Sequence, residues 1–227
     1  MDEVKLNNDG KIIELAEVAY SGTGRHKIFD NLNLSLNYGQ SAVIKGPTGA
    51  GKTTLSEIII GLRKPDSGTV MVFGQNIFDR NERFLKLARR KIGGVGGIFR
   101  PIEYQTVYEN LQYPLILRGD GSSKRRTKIT DILNQLHLFT KKNEIAANLS
   151  RGEQVLLLLG RAIVADQPLI LIDEPLAGLD PEMSGVVAEL LKRLNVAGHS
   201  LIVLTGGRTG VSLPDAAEYC IVDGKLK

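Results

Sequence analysis

A single cysteine, Cys220, occurs in 227 residues, in the apolar segment Tyr219-Cys220-Ile221-Val222. With no second thiol, a disulfide framework and a cysteine-based metal site are both excluded, and a reducing compartment is expected. Long apolar runs are missing too. Nothing approaches the roughly 18 consecutive apolar residues of a membrane span, and Met1-Asp2-Glu3-Val4 lacks the charged and apolar parts of a secretory leader. Membrane association is therefore expected only through a partner. Neither sign of charge dominates: 29 basic residues oppose 25 acidic ones, a net charge of +4 spread along the chain, so no nucleic-acid partner is expected. The one basic run, Lys124-Arg125-Arg126-Thr127-Lys128, reads as a solvated helix face. Repeats, linkers and low-complexity tracts are also absent. With 42% hydrophobic residues, the length suits one large domain or a core with a subdomain.

Against that background one stretch stands out, Gly46-Pro47-Thr48-Gly49-Ala50-Gly51-Lys52-Thr53-Thr54. The apolar run Ser41-Ala42-Val43-Ile44 precedes it and a helical pattern from Leu55 follows, so a strand leads into a glycine-rich loop that opens a helix. Such a loop turns backbone N–H groups inward and aims a helix N-terminus at phosphate. Lys52 is then expected between the β- and γ-phosphates, with the Thr53 hydroxyl on Mg²⁺. A second motif, Leu169-Ile170-Leu171-Ile172-Asp173-Glu174-Pro175, is an apolar run ending in two carboxylates, as expected of a buried parallel strand that opens into the same crevice. Asp173 is expected to hold Mg²⁺ through water and Glu174 to orient the attacking water, which makes Glu174 and Lys52 the catalytic candidates.

Along the chain, residues 12–20 read as a strand ended by Ser21-Gly22-Thr23-Gly24, and Leu32-Asn33-Leu34-Ser35-Leu36 alternates strictly, both signals of an antiparallel sheet. Turns at Pro65-Asp66-Ser67-Gly68 and Gly74-Gln75-Asn76 bracket a strand at residues 69–73. Residues 82–91 look helical. Gly93-Gly94-Val95-Gly96-Gly97 reads as a flexible segment, too rich in glycine for a strand. Residues 106–138 are helical, with interruptions expected at Pro114 and at Gly119-Asp120-Gly121, and form an insertion between two βα units. A helix over 152–165, the strand ending at Asp173, a helix over 181–196, a buried strand at 201–204 and a terminal hairpin around Asp223-Gly224 complete an α/β pattern.

These residues resemble the nucleotide-binding subunits of ABC (ATP-binding cassette) transporters, over nearly the whole chain. Leu149-Ser150-Arg151-Gly152-Glu153-Gln154 looks like the family's signature, Leu179-Asp180-Pro181 like the loop that meets the opposite subunit, and Tyr20 is placed like the aromatic residue that stacks on adenine. Thr106-Val107-Tyr108-Glu109-Asn110 and the signature look most like the lipoprotein-releasing and cell-division type. The resemblance implies a P-loop NTPase with a RecA-like, mostly parallel core. Residues 1–97 and 163–227 would form the core and an antiparallel β subdomain, and 98–162 a helical subdomain carrying the signature. It implies ATP and Mg²⁺ as ligands, with Ser150, Gly152, Glu153 and Asp180 added to the ATP contacts. It also implies a homodimer, or a heterodimer with another ABC subunit, in which two cassettes pack head to tail. The partner would be an integral membrane permease docked in the groove between Gly97 and the helices after Thr106, on the cytoplasmic face of the membrane.

Four departures from that pattern point to slow hydrolysis. The family's glutamine at the hinge to the helical insertion falls on Gly97 without a gap, or on Arg100 with one. Its switch histidine falls on Gly206, in Leu204-Thr205-Gly206-Gly207. Arg151 replaces a glycine in the signature, either to pair with phosphate or to block close approach, and the usual Gln-Arg pair after it is Val155-Leu156. Losing one charge-assisted contact to a transition state costs about 2.7–4 kcal/mol, a hundredfold or more in rate.

Overall fold

The computed structural model describes residues 10–22, 27–79, 82–206 and 211–227. Met1-Asp2-Glu3-Val4, the strand stop at Thr23-Gly24, and Gly207 lie outside the described residues.

Strict alternation in the first part of the chain produces a half-buried antiparallel sheet. Strand β1 (Lys11–Ser21) pairs with β2 (Lys27–Asn37), in which Leu32, Leu34 and Leu36 are buried while Asn31, Asn33, Ser35 and Asn37 are exposed. The Asn37-Tyr38-Gly39 turn leads to β3 (Ala42–Lys45), then to the loop and helix α1 (Lys52–Ile59). Next come β4 (Ser67–Val72) and β5 (Gln75–Asn76), which return to β1 and give the sheet order β2-β1-β4-β5. Of the expected turn at 74–76, Gly74 lies with Phe73 at the hairpin tip, while Gln75 and Asn76 pair back as β5.

Helix α2 (Glu82–Arg90) precedes β6 (Ile92–Gly96), and here the expectation of a flexible segment is overturned. Strand β6 pairs in parallel with β7 (Leu169–Asp173), from Ile92 opposite Leu169 to Gly96 opposite Asp173. Its glycines serve close approach. A Cβ on Gly93 would lie 2.5 Å from the Cβ of Ala162, and one on Gly94 would overlap the Phe99 ring, which folds back over the strand. Packing on both faces supplies the order that the missing side chains do not.

The helical part contains α3 (Val107–Arg118), α4 (Ser122–Gln135) and α5 (Arg151–Ile163). Gly119, left-handed at φ +87, ends α3 as expected, but Pro114 does not interrupt it. Although an interior proline costs about 3 kcal/mol or more, α3 is held at its start by a capping box between Thr106 and Glu109, and Val107, Leu111 and Leu115 are fully buried. Tertiary burial outweighs the break.

Helix α6 (Pro181–Val196), β8 (Ser200–Thr205), β9 (Ala217–Val222) and β10 (Lys225–Leu226) complete the chain. The second sheet runs β10-β9-β3-β8-β7-β6, parallel except for the β9–β10 hairpin. Its central strands β3, β7 and β8 are buried and apolar on both faces. Val43, Ile170, Ile172, Leu201 and Val203 pack toward the core that includes residues of α3, α5 and α6, while Ile44, Leu169, Leu171, Ile202 and Leu204 pack with α1 and the antiparallel sheet. The carboxyl ends of β3, β7 and β8 consequently open at one edge, the usual place for a ligand crevice in such sheets. Among the described residues, no helix is long and apolar enough to cross a membrane. Cys220 is exposed on β9, and Lys124 and Arg126 of the basic run are exposed on α4.

Candidate functional site

The residues 46–54 follow β3 and wrap its end. The Gly46 amide donates to Thr205 O of the neighbouring β8 (3.0 Å), and the Ala50 amide to Pro47 O (3.1 Å), which closes the loop. Pro47, Thr48 and Gly49 are exposed at its mouth. Gly51, at φ +95, leads into α1 beneath Ile28, whose Cγ2 would lie 2.5 Å from an added Cβ, so only glycine fits there. No side chain caps α1. Its positive end is left to an anion.

Lys52, the first residue of α1, is 6% exposed. Its Nζ donates to Gly46 O (2.6 Å) and Pro47 O (2.9 Å) and pairs with Glu174 Oε1 at 3.2 Å. The Thr53 hydroxyl donates to Asp173 Oδ2 at 2.6 Å, and Thr54 follows in the same first turn. Asp173 is 2% exposed, and its Oδ1 has no partner, a costly position for a buried carboxylate oxygen. Burial pushes its carboxyl up; the Thr53 hydroxyl opposes the rise, the Glu174 charge adds to it, and Lys52 opposes it. Glu174 adopts a left-handed φ of 51°, and its amide donates to Leu204 O (2.9 Å). Such a conformation in a non-glycine residue stores strain, which fixes the carboxylate at the end of β7. Four residues from two distant segments therefore meet in one crevice.

The two glycines that stand where the family resemblance places polar side chains differ sharply. Gly96 (φ +71) and Gly97 (φ +54) turn the chain beside Asp173, and the Phe99 amide closes the turn on Gly96 O at 2.8 Å. A Cβ on Gly97 would overlap Asp173 Oδ2 and stand 2.9 Å from its Cβ. Arg100 lies beyond Phe99, exposed. A Cβ on Gly206, by contrast, would be 3.4 Å from Glu174 Oε1, an ordinary contact.

The remaining predicted residues lie at two helix starts. Ser150 caps α5 by accepting from the Glu153 amide (3.3 Å), while Glu153 Oε2 accepts from the Ser150 amide (2.9 Å) and Oε1 pairs with Lys141 (2.7 Å). Asp180 caps α6 by accepting from the Met183 amide at 2.9 Å. Gly152 brings these two starts together, since its own added Cβ would lie 2.9 Å from Met183 Sδ. Arg151 is exposed beside them. These bonds stay local, and none reaches the loop at 46–54. Tyr20 lies near the end of β1, opposite Phe29.

Two residues escaped the sequence reading. Arg63 bonds Tyr20 across 43 positions, a pairing that no periodicity announces. Arg161 of α5 lines a cavity of about 830 Å³ with Gly94, Phe99, Tyr113 and Leu117. Burial pulls its guanidinium pKa down, and among the described residues it has no acidic partner. Its place inside the apolar pattern after the signature was the available signal.

The family model described as "ABC transporter" matches residues 29–177. The chain belongs to the ABC transporter family. Among solved ABC structures, the dimeric ATP-binding cassette MJ0796 in a post-hydrolysis state with ADP and Pi superposes with a TM-score of 0.82 at 29% identity, covering 95% of this chain and 96% of that one. Curated ABC relatives include the methionine import ATP-binding protein MetN of Haemophilus influenzae (strain 86-028NP), 34% identical over 203 residues, 89% of this chain and 57% of that protein. MetN of Vibrio cholerae is 32% identical over 214 residues, 94% of this chain and 62% of its own. The chain spans less than two thirds of the length of these two relatives.

Proposed function

We propose that the chain is an ATP-binding and ATP-hydrolysing subunit that closes as a dimer on Mg-ATP and drives an integral membrane permease from the cytoplasmic face. One observation carries the reading: Lys52, Thr53, Asp173 and Glu174 converge, with Lys52 Nζ 3.2 Å from Glu174, the Thr53 hydroxyl on Asp173 Oδ2 and Asp173 Oδ1 buried without a partner. The loop amides of residues 46–54 grip the β- and γ-phosphates, and Lys52 exchanges the Gly46 and Pro47 carbonyls for phosphate oxygens. The site fits Mg²⁺, because the Thr53 hydroxyl and the orphaned Asp173 oxygen are hard donors beside the loop. Thr53 would hold the ion directly and Asp173 through water, and the ion when bound neutralises charge on the β- and γ-phosphates. Glu174 orients the attacking water toward the γ-phosphate. Tyr20 stacks on adenine, and Ser150, Gly152, Glu153 and Asp180 complete the opposite subunit's ATP site. Residues 98–162 act as the helical subdomain against a core formed by the rest. The dimeric cassette with ADP and Pi and the import relatives support this assignment.

The permease contact is assigned to the cavity of about 830 Å³. Arg118 and Lys128 already hold Asp166 (2.8 and 2.6 Å), so the lining offers Arg161 no acid. Exposed Tyr113 and Leu117 adjoin it. The occupant that fits is a cytoplasmic permease segment with an apolar face and a carboxylate.

Calorimetry with Mg-ATP tests the reading. Lys52→Ala is expected to abolish binding and Glu174→Gln to trap an ATP-bound dimer on size exclusion, and unchanged affinity in the lysine variant refutes the phosphate-loop assignment. Gly97 and Gly206 favour a second reading, a nucleotide-responsive module with little catalysis. Tight binding without phosphate release, with or without the permease, selects it.

A further inference from the structure

Tyr20 is gripped from one side. Its hydroxyl accepts a hydrogen bond from Arg63 Nη1 at 2.6 Å, and the guanidinium carbon stands 5.4 Å from the ring centroid. The guanidinium thus lies over the ring on one side while it holds the hydroxyl. Through Nε the same guanidinium donates to Glu57 Oε2 at 2.5 Å, and Glu57 belongs to α1, the helix that Lys52 begins. Two more bonds fasten the segment after α1 to this end of β1. Asp66 Oδ2 accepts from the Ser21 amide (2.7 Å), and the Asp66 amide donates to Ala19 O (2.9 Å). A tyrosine near the end of a strand is thereby tied to the phosphate-gripping helix through a planar, two-sided fork that a lysine does not reproduce.

We propose that Arg63 is a positioning residue for nucleotide recognition: with Glu57 it fixes the Tyr20 ring at a set distance from Lys52, so that base and phosphates are read at one spacing. The proposal rests on the assignment of residues 46–54 to the triphosphate and of Tyr20 to the base. Its physical content is preorganisation. A ring already immobilised loses less freedom when the base arrives, and a planar partner gains from a platform that does not rotate away. Arg63 is already committed on both sides, which holds the fork in its working geometry before ligand binds.

The test compares Mg-ATP with Mg-tripolyphosphate, which carries the phosphates without the base, by calorimetry on the full chain. Arg63→Met is expected to weaken ATP about three- to tenfold, a share of the stacking contribution, and to leave tripolyphosphate unchanged. Tyr20→Phe, which removes only the hydroxyl that Arg63 holds, is expected to give the same loss, and the double variant no further loss. Equal weakening of both ligands by Arg63→Met overturns the proposal, since that is a general charge effect or partial unfolding. Full ATP affinity in Arg63→Met, with Tyr20→Ala impaired, overturns it as well. Full affinity in Tyr20→Ala with Lys52→Ala inactive removes the base assignment underneath it. Tripolyphosphate binding that survives Lys52→Ala removes the phosphate-loop assignment instead.

Discussion

Replacing Gly97 by glutamine, the residue that the family resemblance places there, is expected to damage the site instead of completing it. Position 97 has φ +54, and a left-handed conformation costs a residue with a Cβ about 1–2 kcal/mol. The new Cβ would overlap Asp173 Oδ2, so either the turn at 96–99 or the carboxylate must move. Forcing extra atoms into a packed site adds about 1–3 kcal/mol. Together these give about 2–5 kcal/mol, a fall of about 4–20 °C in melting temperature for a chain of this size. A displaced Asp173 also breaks its 2.6 Å bond with Thr53, so nucleotide binding should demand more Mg²⁺. Gly206→His is the matched control. Gly206 is not among the glycines at positive φ, and its added Cβ meets Glu174 Oε1 at 3.4 Å, so the variant should melt within about 1 kcal/mol of the parent. If its imidazole reaches the γ-phosphate, phosphate release rises tenfold or more. Melting curves, Mg²⁺ titrations and phosphate release on the two variants decide the matter. A Gly97→Gln protein that melts like the parent and turns over faster refutes the steric argument, because it would mean that the turn yields freely.

Three further outcomes are expected. Arg161→Met should leave the isolated chain at least as stable, since the charge it removes has no acidic partner among the described residues, and should weaken association with the permease; destabilisation in the isolated chain counts against the cavity assignment. Thr106→Ala should lower stability by about 0.5–2 kcal/mol through loss of the α3 cap, measured by urea denaturation. The Arg118 guanidinium, with Lys124 and Lys128 nearby, holds the Asp120 carboxyl below the usual range. A depressed folded-state pKa stabilises above the ordinary carboxylate value near ~3.9 and fades as pH falls through the lower one. The melting gap between parent and Asp120→Asn should accordingly be full at pH ~6 and close below pH ~4, and a gap that widens on acidification contradicts the assignment.

What the sequence made legible was local. The loop at 46–54 and the run into Asp173 and Glu174 announce themselves because their chemistry needs contiguous residues, and the strict alternation of Leu32, Leu34 and Leu36 announces an antiparallel sheet because one face is solvated. The failures came where a tertiary neighbour overrides a local preference. Glycine at 93–96 predicts looseness only if nothing presses on the backbone, and here α5 and Phe99 press on it from close range. Pro114 predicts a break only if the helix has nothing to lose, whereas Val107, Leu111 and Leu115 anchor both sides of it. Pairings across long separations, such as Tyr20 with Arg63, leave no periodic trace.

The same distinction bears on catalysis. Alignment alone scores Gly97 and Gly206 as equivalent losses of a polar side chain. In space they differ: the backbone at 96–97 stands against Asp173 as part of the wall, while a Cβ on Gly206 would meet Glu174 Oε1 at an ordinary 3.4 Å. A wall cannot be converted back by one substitution, because Asp173 is packed against it and Phe99 closes the turn behind it. A Cβ at 206 meets no such obstacle in Glu174. A single substitution that raises turnover is therefore expected at position 206, and not at the hinge glycine.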